Sequence, residues 1–172
     1  DGFTGSAADV PAAIAQAKRR DDNVFGLDYS AFTDRQLTDD WNPSIFPNLA
    51  LNAFPEAVQV MRFLPHPTDP AKSFFHVWIL VPTAGPGVRP PANFGVEDDV
   101  DVTGKVRPNR AYTAQNTAGV GDVLQQDIDN MAAVQRGLAS AGMADGLRLS
   151  EQEQRIQQFH AEIDRRFARA GV

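Results

Sequence analysis

The sequence contains no cysteine. That absence excludes disulfide bonds, thiolate zinc sites, cysteine nucleophiles and any cysteine-ligated iron–sulfur cluster within these residues. It fits a reducing compartment, and the chain is expected to be cytoplasmic. Long apolar runs are missing as well. The most apolar stretch, Phe74 to Val81, is only strand-length and contains His76, far short of the roughly 18 apolar residues that mark a transmembrane helix. No charged-then-apolar leader opens the chain, so no membrane partner is expected. Positive charge is scarce: 16 Lys and Arg against 22 Asp and Glu leave a net charge of −6. The largest basic cluster is Lys18-Arg19-Arg20, and such a surface repels nucleic acid. An initiator methionine is also lacking. The chain opens on Asp1, as expected of an expressed or cleaved piece of a longer protein, or of a truncated one.

What is present reads as ordinary globular material. The chain has 172 residues, 42% hydrophobic and 22% charged, which predicts one soluble domain over residues 1–172. Asp9 is placed to cap a helix with Pro11 in its first turn, continuing from Ala12 to Arg20. From Trp41 the apolar period becomes two, predicting strands at Ile45–Asn52, Ala57–Leu64 and Ser73–Pro82. Their short connections, Ala53-Phe54-Pro55-Glu56 and the proline-fixed Pro65-His66-Pro67-Thr68-Asp69-Pro70, imply an antiparallel meander. A segment rich in Gly, Pro and Asn follows from Thr83 to Val120, longer than an ordinary connection. Two helices close the chain, one from about Gly121 to Ala141 and one starting at Ser150. Glu153 completes a capping box with Ser150, and Ile156, Phe159, Ile163 and Phe167 mark its apolar stripe. The fold class is therefore α+β, an antiparallel sheet with helices laid against it.

One residue breaks the pattern. At about 100° per residue on the first of those two helices, Met131 and Val123 fall about 40° from Asp127, Val134 and Leu138 about 20°, and Leu124 about 60°. This reading puts Asp127 in the middle of an apolar stripe, where a carboxylate costs several kcal/mol unless it is paired, hydrogen-bonded or bound to a metal. The alternative is that the stripe ends sooner and Asp127 is an N-terminal helix residue favoured by the helix dipole.

Several segments, taken in order, resemble the aromatic-ring-hydroxylating (Rieske-type) oxygenase α-subunit family. They are Ile45-Phe46-Pro47-Asn48, the strand Val58–Pro65 with Arg62, the helix carrying Val123-Leu124-Gln125-Gln126-Asp127 and Val134-Gln135-Arg136-Gly137-Leu138, and Ser150–Arg166 with Phe159-His160. The resemblance covers about residues 22 to 168. It implies the C-terminal part of a helix-grip (START/Bet v1-like) catalytic domain, incomplete at its N-terminus. Mononuclear Fe(II) would be held by two histidines and one aspartate, a facial triad that leaves positions open for dioxygen. The family aspartate lands on Asp127. Substrate-lining positions fall near Asn42 and Asn52, and near Thr117 and Val123. Small side chains at 117 and 123 hint at a bulky or polycyclic aromatic substrate. The family also implies a [2Fe–2S] Rieske cluster in a separate domain, a ferredoxin or reductase as electron donor, and a homotrimer or α3β3 assembly.

The departures matter equally. The D-x₂-H-x₄-H pattern that supplies the family's two histidine ligands is absent, and His66, His76 and His160 do not reproduce its spacing. His66 reads as a turn residue, His76 as a half-buried strand residue and His160 as the edge of a helix face. Gly119-Val120-Gly121 lacks the context of a phosphate loop, and Glu97-Asp98-Asp99-Asp101 lacks calcium-loop spacing. The expectation is part of an iron oxygenase acting on an aromatic or polycyclic substrate and O2. Alone, such a chain is expected to be inactive. The second reading is a non-catalytic module that binds hydrophobic ligands in the same kind of fold.

Overall fold

A computed structural model describes residues 3–20, 25–82, 88–114, 119–146 and 148–171. Among the described residues there are four α-helices, α1 (Val10–Lys18), α2 (Asp34–Thr38), α3 (Asp122–Leu138) and α4 (Gln154–Ala170), and four strands, β1 (Ser44–Ile45), β2 (Leu49–Ala53), β3 (Val58–Pro65) and β4 (Ser73–Leu80). The strands form one antiparallel sheet in the order β1-β2-β3-β4, so the arrangement is α+β, as expected. The chain divides into two compact units, residues 1–127 and 128–172. Among the described residues no helix is long and apolar enough to cross a membrane.

The first predicted strand is two. Pro47 has no N–H to give a ladder, and the chain turns at Phe46-Pro47-Asn48 between β1 and β2, with Ser44 opposite Ala50 and Ile45 opposite Leu49. The remaining register is continuous: Asn52 faces Gln59, Leu49 faces Arg62, and Arg62 faces His76. Alternation then sets Asn52, Gln59, Met61, Phe63, Phe75 and Val77 on one face, where Phe63 and Phe75 stack at 4.7 Å. Arg62, His76 and Trp78 lie on the other.

The main cluster of the first unit joins Ala15 of α1, Tyr29 and Leu37 of α2, flanked by Leu27 and Phe32. It is tied to the β2–β3 turn through Glu56. One carboxylate oxygen of Glu56 accepts from the Tyr29 hydroxyl at 2.8 Å and meets the Lys18 ammonium at 2.8 Å, and that ammonium also donates to the Leu37 carbonyl. Every charge in this buried group therefore has a partner, which is what makes its burial tolerable.

One cap differs in detail from expectation. Asp9 makes no side-chain cap of α1. Its carboxylate instead accepts from the Ser6 backbone N–H and hydroxyl, closing a capping box one turn earlier. Thr33 caps α2 by accepting from the Gln36 N–H. The Ser150–Glu153 capping box is present and leads into α4.

The apolar stripes are where the expectation needs correction. On α3 the buried residues are Leu124 and Ile128, whereas Val123, Val134 and Leu138 are exposed. The buried strip is narrower than periodicity implied, and it is rotated so that Asp127 lies at its border. On α4 no residue is buried. Ile156, Phe159 and Phe167 are all exposed. Spacing identifies an apolar face; it does not supply the surface that covers it.

Candidate functional site

Trp41 forms a two-way backbone bridge with Ala53, its N–H donating at 3.3 Å and its carbonyl accepting at 2.9 Å. This bridge lays the segment after α2 along β2 and brings Asn42 beside Asn52. The Asn42 amide nitrogen donates to Asp40 Oδ2 at 2.9 Å and to Asn52 Oδ1 at 2.8 Å. The Asn52 nitrogen then donates to Gln59 Oε1 at 3.0 Å across the β2–β3 pair. Gln59 is only 5% exposed, and its carbonyl is committed to Asn52, so its amide N–H₂ is left as the free donor end of the row.

This row faces a cavity of about 80 Å³, whose lining includes Asp40, Asn52 and Gln59 on the polar side and Phe54, Phe94, Val123 and Leu124 on the apolar side, with Asp127 completing it. The volume accepts several waters or a small polar group but is well below the few hundred Å³ typical of a whole organic ligand site. Phe54 and Phe94 meet edge to face at 5.6 Å. Directly after Phe94, Gly95 adopts φ +65° against the backbone of Val120 and Gly121. That close approach fixes where α3 begins and therefore where its first two turns stand over the cavity. A second cleft, near Leu27, Glu56 and Val102, has about 10 Å³, room for one water at most.

Asp127 is the sixth residue of α3, past the first turn in which a helix dipole or an N-cap acts. It is exposed, and among the described residues it has no hydrogen-bond or ion-pair partner. The several-kcal/mol cost expected of a carboxylate on a buried face therefore does not arise. What remains is a free carboxylate on the wall of a cavity.

Of the positions read from sequence, Asn52, Val123 and Asp127 line this cavity, and Asn42 holds Asn52 from behind. Thr117 lies outside the described residues. Asp40, Gln59, Phe54 and Phe94 were not foreseen. The only signal for Gln59 was one polar side chain set between Val58 and Val60.

None of the three histidines lines the cavity. His66 accepts through Nδ1 from the Asp69 N–H at 3.1 Å and stacks on Phe74. His76 pairs with Arg62, and His160 lies edge-on to Phe159. Among the described residues no three His, Asp or Glu side chains stand close enough to hold a metal ion. The residues present thus fit a single carboxylate share of a metal centre and not a complete one.

The family described as ring hydroxylating alpha subunit (catalytic domain) matches residues 6–169 of the chain. No curated protein and no solved structure matches it.

Proposed function

The chain belongs to the ring hydroxylating α-subunit family, matched over its catalytic domain, and from this premise we propose that it is part of a non-haem iron oxygenase that inserts oxygen from O2 into an aromatic substrate. Asp127 is the one iron ligand assigned to it. The observation that carries the assignment is a carboxylate with no partner among the described residues, on the wall of a cavity that also presents an amide donor row and an aromatic wall. Structural carboxylates on helices usually cap, pair or face bulk water; this one borders a cavity, as a metal ligand must.

The two histidines of the triad are assigned to parts of the protein other than the residues described. In the helix-grip domain that this proposal assumes, the iron, when bound, supplies the activation of dioxygen, with electrons arriving from a ferredoxin or reductase through a Rieske cluster in a separate domain. The assembly proposed is a trimer or α3β3. The work of this chain's own residues is simpler. Asp127 contributes a negative charge and an oxygen donor. Phe54, Phe94, Val123 and Leu124 give the apolar side of the cavity, against which part of an aromatic substrate can pack. Asn52 and Gln59 face that surface with fixed neutral dipoles, which can orient a polar substituent without adding charge.

A second reading is a non-catalytic module that binds a hydrophobic ligand, and the lack of a three-residue metal set among the described residues favours it. The two separate in protein that carries this chain together with any D-x₂-H-x₄-H segment encoded upstream of Asp1. In the oxygenase, Asp127→Asn removes mononuclear iron and product formation and leaves the Rieske absorption bands intact. Full iron content and turnover in that variant would end the ligand assignment, and an upstream frame with no such histidines favours the binding module.

A further inference from the structure

The face of the sheet opposite Gln59 carries a second polar cluster, rich in donors. Arg62 of β3 stands directly across from His76 of β4, and Trp78 lies two residues further along the same face. Arg62 Nη2 lies 3.3 Å from His76 Nδ1. A guanidinium has no acceptor, so Nδ1 must accept here, and the ring proton sits on Nε2. The guanidinium carbon of Arg62 is 5.3 Å from the Trp78 ring centroid, and that of Arg110 is 5.9 Å from it. The Trp78 and His76 rings meet edge to face at 5.6 Å.

Two features of this cluster are unbalanced. Arg62 Nε is shielded from solvent and has no hydrogen-bond partner among the described residues, a costly state for a charged donor. Neither Arg62 nor Arg110 has a carboxylate within ion-pair distance among the described residues, although acidic residues outnumber basic ones 22 to 16. Nε–H and the Nη2 that touches His76 lie along one edge of the guanidinium, the edge that grips an oxyanion side-on with two parallel hydrogen bonds. At 3.3 Å the imidazole is a weak occupant of that edge. The exposed Arg110 adds a second cation beside Trp78. Trp78 adds a flat apolar surface for an organic body, a surface that a bare inorganic anion cannot use.

We propose that Arg62, His76, Trp78 and Arg110 form a binding site for a small organic carboxylate, the carboxylate displacing the His76 imidazole from the Nε/Nη2 edge of Arg62 and its carbon skeleton lying against Trp78. The bound anion completes the hydrogen bonding of Arg62 and offsets one of the two guanidinium charges that face His76. The site stands on the other face of the sheet from Asp127 and does not depend on the oxygenase reading.

The test uses the full chain carrying Trp41→Phe, so that Trp78 is the sole tryptophan. Its fluorescence is followed during titration with benzoate, acetate, inorganic phosphate and chloride at constant ionic strength, and His76 is followed by NMR in the same samples. Expected are saturable binding of benzoate, weaker binding of acetate, and a rise in the His76 pKa at saturation. Arg62→Lys keeps the charge but loses the side-on edge, and Arg110→Gln removes the second cation; each weakens benzoate by about tenfold or more. Asp127→Asn leaves the affinity unchanged, which separates this site from the candidate cavity. The proposal is overturned by an unsaturable response, by chloride acting as benzoate does, by phosphate binding more tightly than benzoate, or by undiminished affinity in Arg110→Gln. Because Arg110 is exposed on a loop, that last variant remains decisive even where Arg62→Lys fails to fold.

Discussion

Gly95 and Gly121 touch backbone to backbone: a Cβ placed on Gly95 would stand 2.0 Å from the Gly121 nitrogen. Both residues have positive φ, so the contact and the conformation each demand glycine. Gly95→Ala is expected to destabilise the chain by about 2–4 kcal/mol, combining left-handed strain with overpacking that no side-chain rotation can relieve. Gly137, inside α3 with nothing within 4 Å of its own Cβ position, gives the opposite sign. Gly137→Ala should stabilise by about 0.5–1 kcal/mol. Urea melts analysed with a common m-value check both, and similar effects at the two sites would contradict the backbone contact.

The buried Glu56 holds two donors at one oxygen. Glu56→Ala strands the Lys18 charge and the Tyr29 hydroxyl together, and is expected to cost about 3–5 kcal/mol. Tyr29→Phe removes one hydrogen bond and leaves the ion pair, so its cost should be about 1 kcal/mol. Equal losses in the two variants would show that the ion pair contributes nothing beyond the phenol contact.

Tyr29 also predicts an alkaline limit. Burial, then the hydrogen bond to Glu56 and the negative charge of that carboxylate, push its pKa above the ordinary 10.0. A raised pKa means that the folded state keeps the phenol proton where the unfolded chain releases it. The contribution is complete below pH 10 and is lost as pH rises beyond it, at about 1.4 kcal/mol per pH unit while the two states differ by one proton. The difference in stability between the parent chain and Tyr29→Phe should therefore shrink above pH 10. A constant difference would refute the shift.

His76 acts on the acid side. Burial first, then the charges of Arg62 and Arg110, hold its pKa below 6.5. For a base whose folded pKa is lowered, stability is present above the unfolded value and falls as pH drops below about 6.5. In the anion-free chain, Arg110→Gln should move the His76 titration upward in NMR, because one opposing charge is gone. An unmoved midpoint would show that Arg110 does not face the ring in solution.

Asp127 is exposed and has no partner among the described residues, so Asp127→Asn in the chain itself should change stability by no more than about 0.5 kcal/mol. A loss above about 1 kcal/mol would reveal a structural partner and weaken the case for a metal ligand. The stability measurement and the iron measurement are independent, and only a small change in the first gives the second its meaning.

The sheet was the most legible part of the sequence. Period-two alternation with proline-fixed turns specifies a meander almost uniquely, and only the break at Phe46-Pro47-Asn48 was missed, because an apolar run continues through it. The Ser150–Glu153 capping box was legible because it is a local hydrogen-bond pattern. The helix faces were less so, since Val134, Leu138 and Phe159 have the right spacing yet are exposed. Asp127 could be singled out by its motif and its apolar neighbours, although the burial inferred for it was not found. Gln59 and Phe94 were illegible, because their importance comes from a cross-strand partner and from a loop folding back, neither of which leaves a period.

The row of side chains from Asp40 to Gln59 has a direction. Asp40 can only accept when ionised, so Asn42 must turn its nitrogen toward it. With that nitrogen also serving Asn52, the Asn52 carbonyl is obliged to accept and its own nitrogen must face Gln59. One negative charge at the rim thereby sets the sense of three neutral amides, as a single domino sets the fall of those behind it. Gln59 is the last in line, and its free end is a donor because the first member of the row is an anion. Replacing Asp40 with asparagine would leave the cavity its shape while removing the instruction that tells its inner wall which way to point.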